Sequence, residues 1–353
     1  MHLNSQPAIC IDNRLIGSLY RPYIIAEMSA NHNGSLDNAL RIIKEAKLAG
    51  ADAVKLQTYK PDTITLNCKS EEFLISGGLW NGRYLHDLYG EAHMPWEWHK
   101  PLFEYSKDIG ITIFSTPFDE SAVDLLESLN APAYKIASFE VIDLRLIKCV
   151  AKTGKPIIIS TGMATLEEIQ EAIETAQSVG CNQLAILHCV SGYPAPASDY
   201  NLRTLSNMRE RFNLVTGLSD HTLDNTTAIT SIAMGASIIE KHFTLDRNGG
   251  GPDDSFSLEP SDLKELCTNV NTSWESLGEI TYSRKASELD NVKFRRSLYF
   301  VKDAEIGESI TAEHIRSVRP GFGLAPKFFD DIVGRKLKKS VIFGTPVNWD
   351  LLI

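Results

Sequence analysis

Eight short apolar runs recur along the chain, each followed by a segment with helical periodicity. The runs are rich in Ile, Val and Leu, and such near-continuous apolar character is typical of strands buried on both faces of a parallel sheet. They lie at 23–26, 53–56, 112–114, 133–136, 156–159, 184–187, 215–218 and 238–239. The alternation therefore predicts an α/β fold built from repeated strand–helix units.

The segments between the runs have the spacing of amphipathic helices. Apolar residues recur at intervals of three and four over 36–49 and over 166–179, and Gly50 and Gly180 follow as predicted C-terminal caps. Eight units within about 280 residues predict a (β/α)8 TIM barrel. A doubly wound open sheet is the competing arrangement, but no Gly-x-Gly-x-x-Gly follows the first run.

Two stretches depart from this rhythm. The connection at 58–110 is unusually long, with a regular helix expected only at 95–109, and it carries Trp80, Tyr84, His86 and Tyr89. Long connections of this kind are either active-site lids or packed surface loops. Beyond about residue 283 basic residues cluster and short strand and turn signals replace the alternation. We therefore predict a catalytic barrel over 1–282, a linker over 283–292 and a small domain over 293–353.

Charge and composition restrict the possible partners. The formal net charge is −10, with no basic stripe, which argues against nucleic-acid binding. No apolar run approaches the roughly 20 residues of a membrane span, and residues 1–17 lack the pattern of a signal peptide. The six cysteines are scattered without metal-ligand spacing, so a cytoplasmic protein with reduced thiols is expected. An anionic substrate would need a local cluster of positive charge.

Polar or ionisable residues follow each of the eight predicted strands, with Ser115 and Thr116 after the third. In a barrel the carboxyl ends of the strands form the catalytic face, so these side chains should converge on one mouth. Burying so many polar groups together is costly unless they bind something. The residues concerned are Glu27, Lys55, Gln57, Lys135, Ser138, Ser160, His188, Ser219, Asp220, His221, Glu240, Lys241 and His242.

These residue types indicate a particular chemistry. Lys55 and Lys135, with hydroxyls from Ser138 and Ser160, are suited to hold a phosphate and a carboxylate. His221 and His242 follow adjacent strands, so their imidazoles can share one divalent ion, of which Mg²⁺ is the least natural with nitrogen ligands. Glu27 and Glu240 are candidate acid–base groups at the same mouth.

The residues around these positions resemble the sialic acid synthase family. The resemblance covers nearly the whole chain in order, and the C-terminal part, with Arg319-Pro-Gly-Phe-Gly323, is similar to the antifreeze-like (SAF) domain of that family. The motifs are Ala26-Glu-Met-Ser-Ala-Asn-His-Asn-Gly34, Val54-Lys-Leu-Gln-Thr58, Phe114-Ser-Thr-Pro-Phe118, Tyr134-Lys-Ile-Ala-Ser138, Ser160-Thr-Gly-Met163, Leu218-Ser-Asp-His-Thr222, Glu240-Lys-His-Phe-Thr244, Gly249-Gly-Gly-Pro-Asp253 and Ser257-Leu-Glu-Pro260.

The resemblance implies a metal-dependent condensation of phosphoenolpyruvate with an acylated amino-sugar aldehyde, releasing phosphate. It implies Mn²⁺, Co²⁺ or Mg²⁺ on His221 and His242, and acid–base roles for Glu27 and Glu240 without saying which activates water. It also implies a domain-exchanged homodimer, in which Arg319 of one subunit reaches the sugar of the other. The remaining implied contacts are Lys55, Lys135, Ser138, Ser160 and Ser219 for phosphoenolpyruvate, and Gln57, Tyr193 and Asp253 for the sugar.

Several positions resemble the pseudaminic acid branch of the family, whose substrate is a 6-deoxy-2,4-diacetamido hexose. Met28 and Ser29 follow Glu27, where the N-acetylneuraminate branch usually has Ile and Gly, and Ser191 stands where that branch commonly has Asn. The N-acetylneuraminate and legionaminate branches are alternatives. A pyruvate-dependent aldolase is a remoter one, and the lysine–serine pairing argues against it. A binding protein is disfavoured by the ionisable strand ends.

Overall fold

The computed structural model describes residues 6–353 and divides the chain into two compact units, the first ending at Gly278 and the second beginning at Glu279. The strands are β1 Ala8–Ile11, β2 Arg14–Gly17, β3 Tyr23–Glu27, β4 Ala53–Thr58, β5 Thr112–Pro117, β6 Tyr134–Ile136, β7 Ile157–Ser160, β8 Leu184–Cys189, β9 Val215–Asp220, β10 Ile238–His242, β11 Ser297–Phe300 and β12 Ile315–Val318.

The α-helices connect the strands of the first unit and are few and short in the second. They are α1 Leu36–Ala49, α2 Pro61–Ile64, α3 Leu85–Ala92, α4 Trp96–Ile109, α5 Glu120–Ser128, α6 Leu144–Ala151, α7 Leu166–Ser178, α8 Arg203–Phe212, α9 Thr226–Ala233, α10 Pro260–Leu277, α11 Ala286–Leu289 and α12 Phe329–Ile332. None of the helices within residues 6–353 is both long and apolar enough to cross a bilayer.

Strands β3 to β10 form a closed parallel barrel, in which β10 pairs with both β9 and β3. The predicted TIM barrel is confirmed. The strands run beyond the apolar runs that predicted them, so that Glu27, Ser160, Asp220 and His242 are the last residues of β3, β7, β9 and β10. Strand pairing is made by backbone groups, so it continues past the apolar runs into these polar residues, which apolar patterning does not reveal.

Local sequence explains the helix ends. Helix α1 begins after Ser35, whose hydroxyl accepts the N–H of Asn38, and ends at Gly50, whose φ of +99° a side chain would oppose. Helix α7 begins with a reciprocal capping box between Thr165 and Glu168. It ends one residue earlier than expected, with Val179 at the C-cap and Gly180 following in the left-handed region.

The hairpin of β1 and β2 was not anticipated from the sequence. Its strands pair antiparallel, and its buried Ile9, Ile11 and Ile16 belong to the same apolar cluster as the inward-facing Ile25 and Phe114 of the barrel. The barrel interior is therefore a packed core that the hairpin extends at the amino-terminal end of the strands.

The long connection between β4 and β5 is a packed excursion with structure of its own. It contains α2, α3 and α4, and Trp80 Nε1 in its middle donates to the carbonyl of Pro252 at 3.0 Å. Tyr59 packs edge-on against Tyr89 and Phe118. These contacts hold the excursion over the barrel mouth.

The second unit has its own small core. Strands β11 and β12 pair antiparallel, and Leu298, Phe300 and Ile315 from these strands pack with Leu337 and Val347. The rest of the unit consists of the short helices α11 and α12, 3-10 turns and isolated bridges.

Candidate active site

Two lysines and two glutamates form a buried charge cluster at the carboxyl end of the barrel. Lys55 Nζ lies 3.0 Å from Glu27 Oε2 and 3.4 Å from Glu240 Oε1, and Lys135 Nζ lies 3.7 Å from the same Glu240 oxygen. All four side chains are almost wholly inaccessible. Buried charges persist when they are paired, so this cluster is one interdependent unit.

The two carboxyl groups differ in acidity because their surroundings differ. Burial raises the pKa of Glu27 to about 7, only partly opposed by the charge of Lys55. Burial also acts on Glu240, but Lys135 and Lys55 outweigh it and lower the pKa of Glu240 below its ordinary value. Two carboxyls held at different pKa values are suited to different tasks, one exchanging a proton near neutrality and one remaining ionised.

The residues predicted to hold phosphoenolpyruvate surround this cluster. Lys135 Nζ donates to Ser160 Oγ at 2.6 Å, and Ser219 Oγ donates to Glu240 Oε1 at 3.4 Å. Ser138 Oγ accepts the backbone N–H of Gly162 at 3.1 Å. A Cβ at Gly162 would overlap Ser191 Oγ and lie 2.8 Å from Ser138 Oγ, so any larger residue there would displace these two hydroxyls.

The two histidines lie side by side, with ring centroids 5.4 Å apart. His221 Nδ1 lies 2.8 Å from the carbonyl oxygen of Val190. A carbonyl only accepts, so Nδ1 carries the proton, and in the neutral ring the lone pair of Nε2 is available to a ligand. Burial acts to lower the pKa of His221, but Cys189 outweighs it and raises that pKa above its ordinary value. Burial keeps the pKa of His242 well below its ordinary value, so its ring is neutral, and its buried Nδ1 has no hydrogen-bond partner in the described chain.

This donor set fits a divalent ion held by two imidazoles. Across residues 6–353 no third His, Cys, Asp or Glu joins them in a group able to hold a metal. An ion here would keep positions open for water or substrate, as catalytic sites require. Cys189 Sγ lies 4.0 Å from His221 Nδ1, on the side of the ring that faces Val190.

The predicted sugar-binding residues of the barrel are linked to the charge cluster. Gln57 Nε2 donates to Glu27 Oε1 and to Ser29 Oγ, both at 2.9 Å. Ser29 Oγ donates to Asp253 Oδ2 at 2.5 Å. Tyr193 packs on His221 with ring centroids 4.4 Å apart. Ser29 lies in one of the motifs quoted above, but it was not among the predicted site residues.

Asp253 is presented by a loop whose shape depends on Asp254. Asp254 Oδ2 accepts from Asn33 Nδ2 and from the backbone N–H of Gly251, both at 2.8 Å. Its other oxygen accepts from Thr244 Oγ1 at 2.5 Å. Phe256, at the end of this loop, is buried against His242 and Tyr193, so it supports the ring cluster.

Above these residues lies a cavity of about 340 Å³. Its walls combine polar groups of the barrel with aromatic and aliphatic side chains of the excursion, among them Trp80 and Tyr89. Tyr84 and His86, considered with them in the sequence, are absent from the lining, and His86 pairs with Asp62 instead. The cavity suits a ligand with both polar and methyl-bearing groups.

Glu140 also lines this cavity, although it was not among the predicted site residues. Burial raises the pKa of Glu140 to about 7, partly opposed by the charge of Lys135, and its Oε2 has no hydrogen-bond partner within the described chain. The signal that could have found it is its position two residues after Ser138, where the loop after β6 still faces the mouth.

Other polar strand ends have structural roles. Lys241 Nζ donates to Asp220 Oδ2 at 2.9 Å and to the carbonyl oxygens of Thr222 and Asp224 at 2.8 Å each. The ammonium is thereby saturated, and the loop that carries His221 is fixed by it. His188 Nε2 contacts the carbonyl of Tyr200 at 2.5 Å.

Arg319, the remaining predicted site residue, is an exposed residue of the second unit.

Comparison with known proteins identifies the family of this chain. Residues 42–282, which include most of the barrel, match the NeuB family, and residues 295–353 match the SAF domain. The chain belongs to the NeuB family. The antifreeze-like domain expected at the C-terminus is confirmed by the second match.

Among relatives in the NeuB family, the pseudaminic acid synthase of Campylobacter jejuni is 44% identical over 91% of this chain and 94% of its own. That of Helicobacter pylori is 43% identical over 94% and 98%. The crystal structure of N-acetylneuraminic acid (sialic acid) synthetase from Leptospira borgpetersenii, in complex with citrate, matches with a TM-score of 0.73. It is 31% identical and covers 82% of this chain and 97% of that one.

Proposed function

We propose that this protein condenses phosphoenolpyruvate with 2,4-diacetamido-2,4,6-trideoxy-β-L-altropyranose to give pseudaminic acid and phosphate. The observation that carries the proposal is the buried cluster of Lys55, Lys135, Glu27 and Glu240 beside two imidazoles. The lysines supply local positive charge for an anion in a chain with a net charge of −10. The imidazoles supply ligands for a divalent ion next to it.

The reaction requires one C–C bond to form and one C–O bond to break. C3 of phosphoenolpyruvate attacks the aldehyde carbon of the sugar, and water adds at C2 and loses a proton. The tetrahedral intermediate then expels phosphate and leaves the 2-keto acid. Lys55 and Lys135, with Ser138, Ser160 and Ser219, hold the phosphate and carboxylate. A divalent ion on His221 and His242 would supply polarisation of the aldehyde oxygen.

We assign the proton of the attacking water to Glu27. A general base works best when its pKa lies near the working pH, and burial brings the pKa of Glu27 to about 7. Glu240 instead stays ionised between the two lysines. Although burial acts against the charged form of Lys55, the charges of Glu240 and Glu27 raise its pKa, and Glu240 also opposes the lowering of the Lys135 pKa that burial causes. The sequence left the choice between Glu27 and Glu240 open, and the raised pKa of Glu27 supports this assignment.

The proposed sugar follows from similarity and from the cavity. The two pseudaminic acid synthases are 44% and 43% identical to this chain, against 31% for the N-acetylneuraminic acid synthetase. The aliphatic and aromatic wall that includes Ile64, Ile75 and Leu88 suits acetyl and C6 methyl groups better than hydroxyls.

We further propose that the enzyme acts as a domain-exchanged homodimer in the cytoplasm, with Mn²⁺, Co²⁺ or Mg²⁺ as the ion. Arg319 is exposed on a domain separate from the barrel, so a contact with the sugar of the partner subunit would give it a binding role. The six cysteines are all free thiols, which supports a reducing compartment.

The test is phosphate release from phosphoenolpyruvate with Mn²⁺, using the altrose substrate, N-acetylmannosamine and the 2,4-diacetamido precursor of legionaminic acid in parallel. Release with the altrose sugar alone supports the proposal. Release with either of the others alone would keep the condensation and reassign the substrate. No release with any sugar, from folded protein that binds phosphoenolpyruvate, would contradict the proposed reaction.

A further inference from the structure

Ser29 adopts a backbone conformation that serine normally avoids. Its φ is +46°, in the left-handed region, and it is 5% exposed within the barrel mouth. Glycine adopts such a φ without steric cost, whereas a side chain there is held in place by its surroundings. Backbone strain is often retained at functional sites, and Ser29 lines the cavity, so we expect its side chain to have a functional role.

The hydroxyl of Ser29 joins two predicted sugar-binding residues. It has a single proton, which it donates to Asp253 Oδ2 at 2.5 Å. Its oxygen is then available only as an acceptor, and it accepts from Gln57 Nε2 at 2.9 Å. The direction of both hydrogen bonds is therefore fixed: Gln57 donates to Ser29, and Ser29 donates to Asp253.

The amide of Gln57 is consequently fixed in one orientation. Its NH2 has two protons, one donated to Ser29 Oγ and one to Glu27 Oε1 at 2.9 Å. The flipped amide would place the carbonyl oxygen against both the Glu27 carboxyl and a serine oxygen whose proton is already committed to Asp253. Because both amide protons are used, the side-chain atom of Gln57 left for a ligand is the carbonyl oxygen.

We propose that Ser29 is a positioning residue that makes Gln57 an acceptor toward the substrate. The sugar group that Gln57 meets must then be a hydrogen-bond donor, a hydroxyl or an amide N–H. This inference rests on the proposed function, since it takes the sugar to lie in the cavity that Ser29, Gln57 and Asp253 line. Ser29 acts on the sugar through Gln57.

The experiment compares Ser29→Gly and Ser29→Ala with wild type in the phosphate-release assay. Both substitutions remove the hydroxyl. Glycine also relieves the backbone strain, whereas alanine retains that strain. In both variants we expect KM for the sugar to rise about tenfold, the loss of roughly one hydrogen bond, with KM for phosphoenolpyruvate unchanged. Ser29→Gly should melt at a higher temperature than Ser29→Ala.

Ser231→Ala is the matched control, because Ser231 is equally buried but bonds only to a carbonyl of its own helix. It should leave both KM values unchanged. In a Gln57→Ala background, Ser29→Ala should add little to the rise in sugar KM, because the two residues act in series. An undiminished effect there, or an unchanged sugar KM in folded Ser29→Gly, would overturn the inference.

The assay uses whichever amino-sugar the wild-type enzyme accepts. A wrong choice of sugar under the proposed function would change the substrate and leave the comparison of variants intact. Failure of the proposed function therefore shows in wild type, and failure of this inference shows only in the ratio of variant to wild type.

Discussion

Replacing Lys135 with alanine should weaken phosphoenolpyruvate binding while sparing the fold. The Nζ atom is 2.6 Å from Ser160 Oγ and 3.7 Å from Glu240 Oε1, in a side chain with 1% of its surface exposed. Losing one charge-assisted contact of about 1.5–3 kcal/mol raises the apparent dissociation constant about 10- to 150-fold. Glu240 keeps Lys55 at 3.4 Å, so its carboxylate is not left unpaired.

The assay is the initial rate of phosphate release as a function of phosphoenolpyruvate concentration, at saturating sugar and Mn²⁺. Lys135→Met keeps most of the side-chain volume and separates loss of charge from creation of a cavity, so it should match alanine in KM but melt higher. Lys155→Met is the control, because Lys155 pairs with Glu127 and lies outside the site. An unchanged KM for phosphoenolpyruvate in folded Lys135→Met would refute the assignment.

Four further predictions follow from the site and the domain arrangement. The rate of phosphate release should fall as pH drops below about 7, because Glu27 becomes protonated. Glu27→Gln should be nearly inactive at every pH, and a wild-type rate that stays constant down to pH 5 would contradict this role. Burial raises the pKa of Glu140 to about 7 in the folded protein, so the stability that its protonated form contributes is lost as pH rises through that value. Between pH 5 and pH 8 the free energy of unfolding of Glu140→Gln should therefore gain up to ~3 kcal/mol relative to wild type, measured by denaturant unfolding. An equal difference at both pH values would contradict the burial argument. Chelation should abolish activity, and His221→Ala should abolish Mn²⁺ binding measured by calorimetry; tight Mn²⁺ binding by folded His221→Ala would exclude this ligand. Deletion after residue 285 should inactivate the enzyme. At a phosphoenolpyruvate concentration well below the KM of Lys135→Ala, mixing Arg319→Ala with Lys135→Ala protomers should restore about a quarter of wild-type activity, since one site in each heterodimer has both residues. No recovery from mixed, exchanged dimers would argue against action in trans.

The barrel was predictable because its strands are buried on both faces. Tyr23–Glu27, for example, is buried at all five positions, so the apolar run marks the strand without ambiguity. The polar residues that end the strands were predictable as a group because parallel strands bring their carboxyl ends together. Barrel geometry thus accounts for how Lys55, Lys135 and Glu240 meet.

Other features depend on contacts that no local pattern records. The hairpin strand Arg14–Gly17 has one polar and one exposed apolar residue, and its role appears only when Ile16 meets the barrel interior. Ser29 was visible as a departure from a motif, but its positive φ and its contact with Asp253, 224 residues away, are tertiary facts. Glu140 is similar, because burial in the folded protein is the largest cause of its raised pKa.

The hairpin of β1 and β2 at the amino-terminal end of the barrel affects the order in which the two substrates can bind. With Ile9, Ile11 and Ile16 packed into the interior, the described residues close the amino-terminal end of the barrel, so we expect reactants to enter and leave through the opposite mouth. Lys55 precedes Gln57 by two residues on β4 and so lies deeper along the same strand. A reactant bound at the lysines must arrive before the sugar covers it. The kinetics should therefore be compulsory-ordered, with phosphoenolpyruvate the leading substrate and the sugar unable to bind productively ahead of it.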